Sequence, residues 1–157
     1  MTRILAVGAG LLALAQASAA FAQQTPIKIG LSGPFTGGSA AMGVSMRDGA
    51  KLAVDEINKA GGVLGRRIVL IERDDEAKNE LGVQIAQELI NKENVVATVG
   101  FINTGVALAS QRFYQEAEIP VMNNVATGSL VTQQFKAPEH RANYVFRNAA
   151  NDTIRAP

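Results

Sequence analysis

Short apolar runs alternate with helical stripes along this chain, and that alternation limits the fold more than any other feature. Residues 27–31 read as a strand, stopped by Ser32, Gly33 and Pro34. A helix is predicted over 44–60, with Met46, Ala50, Ala53 and Ile57 at helical spacing and Leu52 and Val54 widening the stripe. Gly61 and Gly62 close it, because glycine enters the left-handed conformation at little cost. The apolar residues Ile68, Val69, Leu70 and Ile71 fall within a second strand, 67–72, and their continuity suits a strand covered on both faces. A second helix over 79–91 carries Gly82, Ile85, Ala86, Leu89 and Ile90 on one face. A third strand is expected over 95–100. A third helix then opens near Asn103 and Thr104, with Val106, Ala109, Phe113 and Ala117 as its apolar face. Short strands at 120–123 and 144–147, a helical turn at 130–135 and an exposed polar stretch at 136–143 complete the pattern, and a further helix is due where the chain ends.

Strands and helices alternating at this spacing imply right-handed crossovers and an α/β fold, a doubly wound and mainly parallel sheet flanked by helices. In such sheets ligands sit beyond the carboxyl ends of the strands. That rule points to loops 32–42, 74–79, 101–104 and 124–129.

The first residues read as processing rather than fold. Arg3 precedes an uncharged run over 4–15, and Ala20, Phe21 and Ala22 form a small-x-small cleavage site, so residues 1–22 are expected to be a secretory signal peptide. Gly8, Gly10 and Ala13 match a dinucleotide-binding fingerprint, but that motif works only between a strand and a helix, and here it falls inside the signal. Without Arg3 the 15 basic residues become 14, against 14 acidic ones. A neutral chain argues against nucleic acid or an anionic membrane as partner. The absence of cysteine excludes disulfides and thiolate chemistry, and the single histidine, His140, excludes a histidine-rich metal site.

Four constellations could carry chemistry. Asn103 or Thr104 can cap the third helix, whose free first-turn amides and dipole would welcome a carboxylate; an ordinary cap without a ligand is the commoner arrangement for these residues. Val125, Ala126 and Thr127 form a loop of small residues whose backbone groups and hydroxyl could hold both ends of a zwitterion, or simply turn the chain. The glycine-rich loop 32–43 lacks the Lys-Ser/Thr ending of a phosphate-binding loop. Asp74, Asp75 and Glu76 could bind Mg2+ or be a solvated acidic loop. No Gly-x-Ser-x-Gly elbow is present, and a hydrolase would have to be built around Ser32 or Ser129.

Ile27 to Gly30 followed by Ser32, Gly33 and Pro34, then Gly49, Ala50, Ile57 and Asn58 with the run 61–65, then Asp74 and Asp75, Val99 and Gly100, and Ile119 and Pro120 before the loop ending at Thr127, occur in one order. Taken together they resemble the N-terminal lobe of a type I periplasmic binding protein, in the leucine/isoleucine/valine-binding branch that feeds ABC importers. The resemblance implies that Thr104 binds an α-carboxylate, that Val125, Ala126 and Thr127 contribute backbone groups and a hydroxyl, and that Met42 packs against the ligand side chain. It also implies an incomplete lobe over 23–157, with a second lobe supplying the ammonium-binding acid. The expected protein is a periplasmic carrier, monomeric, with no cofactor, no metal and no catalysis. It would capture an amino acid or related small carboxylate or amide and pass it to a membrane permease. A ligand-sensing domain of a receptor or regulator with the same fold is the alternative.

Overall fold

The computed structural model describes residues 25–135 and 142–155. The expected signal peptide, the glycine fingerprint within it, and His140 lie outside the described residues. The chain runs β1 (Ile27–Gly33), α1 (Ala40–Lys59), β2 (Ile68–Asp74), α2 (Asn79–Asn91), β3 (Ala97–Gly100), α3 (Thr104–Glu116), β4 (Val121–Asn123), a 3-10 turn (Ser129–Thr132), β5 (Val145–Arg147) and α4 (Asp152–Arg155). The strands form one parallel sheet in the order β2-β1-β3-β4-β5. The chain thus winds outward from β1 in one direction, then returns to build the other half. The crevice where the winding reverses lies between the carboxyl ends of β1 and β3.

Element boundaries depart from the sequence expectation where tertiary partners intervene. β1 continues through Ser32 and Gly33 because both pair across to β2, and Ser32 also pairs with Gly100 of β3. α1 starts four residues before the predicted 44, and Gly43 lies inside it because a Cβ there would stand 2.0 Å from the Pro34 carbonyl oxygen. β2 is an edge strand, so Val69 is exposed despite the continuous apolar run. The buried face of α3 is Val106, Ala107, Ser110, Gln111 and Tyr114, turned away from the predicted Ala109, Phe113 and Ala117. Two polar residues on that face find partners, one local and one distant in sequence: the Ser110 hydroxyl donates to the Val106 carbonyl, and the Gln111 amide donates to Gln134 Oε1 at 2.6 Å. Apolar periodicity alone could not anticipate those partners.

The two faces of the sheet differ. A Cβ on Gly30 would meet Leu89 of α2 and Thr98, so Gly30, Thr98, Val121 and Val145, which are in register, face α2 and α3. The main core sits on that side, around Phe101, Val106, Tyr114, Val121 and Val145. The opposite row is Leu31, Val99, Met122 and Phe146. Among the described helices that pack on the sheet, only α1 lies on that face, over β1 and β2, with Met46 against Gly33. Leu31 is buried, whereas Phe146 at the far edge is 47% exposed. The predicted core stripe of α1 is therefore corrected: Ala53 and Ile57 are exposed, as is Leu52, and Met46 and Ala50 are only half buried. Full burial of such a side chain contributes about 1.5–3 kcal/mol, so the described fold draws its stability mainly from the α2/α3 side.

Candidate functional site

The site is built where β3 turns into α3. Gly100 ends the strand at φ +144, and Phe101 follows at φ +64, a conformation uncommon for any side-chain-bearing residue. Three contacts hold this turn. The Phe101 amide donates to the Ser32 carbonyl at 3.0 Å, its carbonyl accepts from the Ala126 amide at 3.0 Å, and its ring meets Tyr114 edge-on at 6.4 Å. Asn124 clasps Gly100 from the other side, its amide donating to the Gly100 carbonyl and its side-chain oxygen accepting from the Gly100 amide.

Asn103 occupies the cap position in extended conformation, yet its side chain does not cap. Its Nδ2 reaches Ser39 Oγ at 3.5 Å, and its Oδ1 is buried with no partner among the described residues. Thr104 opens α3. The amides of Thr104, Gly105 and Val106 have no acceptor among the described residues, and no acidic side chain lies in the first turn. That end of the helix offers donors and positive potential.

Thr104 Oγ1 accepts the Gly128 amide at 3.2 Å, which brings the start of α3 against the loop after β4. Within that loop the Thr127 carbonyl is already taken, by the Asp152 amide at 3.0 Å and by Arg147 Nη1 at 3.1 Å. The Val125 amide, the Thr127 amide and the Thr127 hydroxyl have no partner among the described residues. Ala126 is fully buried in the core and its amide is spent on Phe101, so its carbonyl is the backbone group it has to offer.

An open cleft of about 730 Å3 adjoins this corner, lined by Met42, Ser45 and Met46 of α1 together with Asn124, Val125 and Asn148. Met42 is 54% exposed there. The structure thus groups Asn103, Thr104 and Thr127 around the start of α3, places Met42 in the cleft, and lets Val125 bridge the two; Ala126 serves the core. Sequence reasoning placed Asn124 in the loop 124–129 without giving it a role, and missed Asn148 and Arg147. All three stand at or just past the carboxyl end of β4 or β5, where a polar residue ending an apolar strand is the available signal.

Asp74 and Asp75 are structural clasps. The Asp74 carboxylate accepts from the Phe35 amide at 2.8 Å, the Thr36 hydroxyl at 2.6 Å and the Glu76 amide at 2.9 Å, and so ties the glycine-rich loop to the end of β2. Asp75 is 1% exposed, which corrects the picture of a solvated loop; it accepts from Ser32 Oγ at 3.2 Å and the Ala77 amide at 3.0 Å. Among the described residues no group of three acidic or histidine side chains is arranged to hold a metal.

The two clasps have opposite acid dependence. Burial acts to raise the Asp74 carboxyl, but the Thr36 hydroxyl and the amides of Glu76 and Phe35 outweigh it, and the net shift is downward. Its stabilising contribution is present above the ordinary aspartate value and lost as pH falls through the lowered one. Burial pushes Asp75 up, only partly countered by the Ala77 amide and the Ser32 hydroxyl. Its contribution is present when protonated and lost as pH rises through the raised value. Asp74→Asn should lower the thermal midpoint at neutral pH, with the deficit shrinking as pH drops below about 4. Asp75→Asn should gain on the wild type as pH rises from about 4. Melting curves of both variants from pH 3 to 7 check this; parallel curves for the two would contradict it.

Comparison with known proteins places the whole described region in one group. A sequence profile of the family described as "Periplasmic binding protein" matches residues 26–156. Leu/Ile/Val-binding protein homolog 3 of Brucella melitensis is 37% identical over 116 residues, covering 74% of this chain and 30% of that protein. The branched-chain amino acid transporter substrate binding protein LivJ of Streptococcus pneumoniae, solved with isoleucine, superposes with a TM-score of 0.75 at 29% identity, over 82% of this chain and 35% of that one. An ABC-transporter solute binding protein of Rhodopseudomonas palustris, solved with 3,4-dihydroxy benzoic acid, gives 0.69 at 32% identity, over 80% and 32%. The chain spans about a third of the length of the curated relatives it matches.

Proposed function

This chain belongs to the periplasmic binding protein family, and from that premise we propose that it forms the carboxylate-gripping lobe of an extracytoplasmic solute-binding component of an ABC importer. The observation that carries the reading is the meeting of Thr104 with the loop after β4, through the Gly128 amide at 3.2 Å, beside three open amides of α3. A carboxylate is acceptor-only, so a corner presenting hydroxyls and unpaired amides suits it. Met42 and Met46 in the adjoining cleft offer adaptable apolar surface to the rest of the ligand. The relatives solved with isoleucine and with a dihydroxybenzoate support an amino acid or an aromatic acid as the ligand class.

In this account the site holds and releases its ligand without making or breaking a bond. A second lobe, within the length of the relatives that this chain does not span, closes over the ligand by hinge motion, and a membrane permease receives it. Residues 1–22 direct the protein to the periplasm.

A calorimetric screen against leucine, isoleucine, 3,4-dihydroxybenzoate and their carboxamide counterparts tests the reading. At least one carboxylate should bind, and its carboxamide should bind at least about tenfold more weakly, the loss expected when charge-assisted bonds are weakened. Binding of a carboxamide as tight as that of its acid, or binding of none of the six, would contradict it.

A further inference from the structure

Arg147 ends β5 beside the loop after β4, and among the described residues its guanidinium bonds to neutral oxygens. Nη1 donates to the carbonyls of Thr127 at 3.1 Å and Gly128 at 3.0 Å, and Nη2 donates to Thr132 Oγ1 at 3.2 Å. No ion pair among the described residues includes it. A half-buried cation without a carboxylate is costly, and here its fork is spent on a loop of the candidate site.

We infer that Arg147 is a positioning residue for anion recognition, acting on Thr104 through the peptide that joins Thr127 to Gly128. That peptide is bonded at both ends. Its carbonyl receives the guanidinium, and its N–H, on Gly128, donates to Thr104 Oγ1. A hydroxyl has one hydrogen to give and two lone pairs to receive with. With one lone pair filled by Gly128, the Thr104 hydroxyl keeps its hydrogen to donate. Hydrogen bonds in series polarise one another, so the cation strengthens the donation at the far end of the chain. The same charge adds to the positive potential at the start of α3. The consequence is a preference for a carboxylate, whose charged oxygens accept more strongly from the polarised Thr104 hydroxyl than the single neutral carbonyl oxygen of a carboxamide.

The inference rests on the reading that Thr104 faces the ligand, and the experiment separates the two. The readout is the ratio of acid to carboxamide affinity in the protein, for isoleucine with isoleucinamide and 3,4-dihydroxybenzoate with its carboxamide. Arg147→Met, Arg147→Lys and Thr104→Val are compared with the wild type. Arg147→Met should lower the ratio by about tenfold, the scale of one charge-assisted bond, and Arg147→Lys should restore part of it. A ratio unchanged in Arg147→Met but collapsed in Thr104→Val overturns the relay and leaves the anion site standing. A ratio unchanged in Thr104→Val overturns both. Equal loss for acid and carboxamide also overturns the relay, because a purely structural role would give that result. Should Arg147→Met fail to fold, Arg147→Lys decides: a ratio reduced by about threefold, as expected when a fork becomes a point charge, supports the relay, and an unchanged ratio overturns it.

Discussion

Gly100→Ala is expected to lower the thermal midpoint by more than ten degrees, and to yield mostly insoluble protein at 37 °C. Two costs combine at this position. Its φ of +144 is a region that side-chain-bearing residues rarely enter; holding a non-glycine residue in such a region costs about 1–3 kcal/mol. A Cβ there would also stand 2.0 Å from the Ser32 carbonyl oxygen, which is backbone and cannot rotate aside. Ser32 pairs with Gly100 across the central β1–β3 junction, so relief means parting two strands in the middle of the sheet. Overpacking of this kind costs about 1–3 kcal/mol. The sum is a large share of the roughly 5–15 kcal/mol by which a domain is stable, and each kcal/mol shifts the midpoint by several degrees, roughly 2–8. Differential scanning calorimetry measures it. A midpoint within about two degrees of the wild type, at most about 1 kcal/mol on the same scale, would show that the strand end can move and that the turn into α3 is not fixed as described.

Thr104→Val should weaken binding of a carboxylate ligand by about a hundredfold while leaving the fold intact. The substitution keeps the branched shape and removes the hydroxyl. The ligand loses a donor, and the Gly128 amide loses its acceptor at 3.2 Å. The lost donor costs up to about 3 kcal/mol where water is excluded, which is near a hundredfold in affinity. The orphaned Gly128 amide is a cost to the fold instead, about 1 kcal/mol of stability, and the core of α3, which begins at Val106, is untouched. Titration calorimetry alongside a melting curve separates the two effects. Unchanged affinity would remove Thr104 from the site.

Much of this was legible in the chain itself. The helix over 79–91 appeared with its predicted ends because its stripe, Gly82, Ile85, Ala86 and Leu89, meets the main packed side of the sheet. Of the loops chosen from the strand-end rule, 101–104 and 124–129 meet, through the bond from the Gly128 amide to Thr104. What could not be read follows from long-range partners. The α1 stripe was assigned to a core because its spacing is that of a buried face, but burial depends on a covering element, and spacing does not report one. The rotation of α3 turns on Gln111 finding Gln134, a polar pair across 23 residues. Ala126 was expected to offer backbone groups, and its amide is bonded to a carbonyl that faces it because Phe101 adopts positive φ. Arg147 was passed over because a base at a strand end has no partner visible in sequence. The three oxygens it reaches belong to residues 15 to 20 positions away.

A crystal structure of the protein soaked with isoleucine or 3,4-dihydroxybenzoate examines the anion corner most directly. The ligand carboxylate should lie within hydrogen-bonding distance, about 2.5–3.2 Å, of the Thr104 hydroxyl and at least one amide of the first turn of α3, with the Thr127 hydroxyl or amide completing its shell. A carboxylate seated elsewhere, with those amides still facing water, would contradict the account.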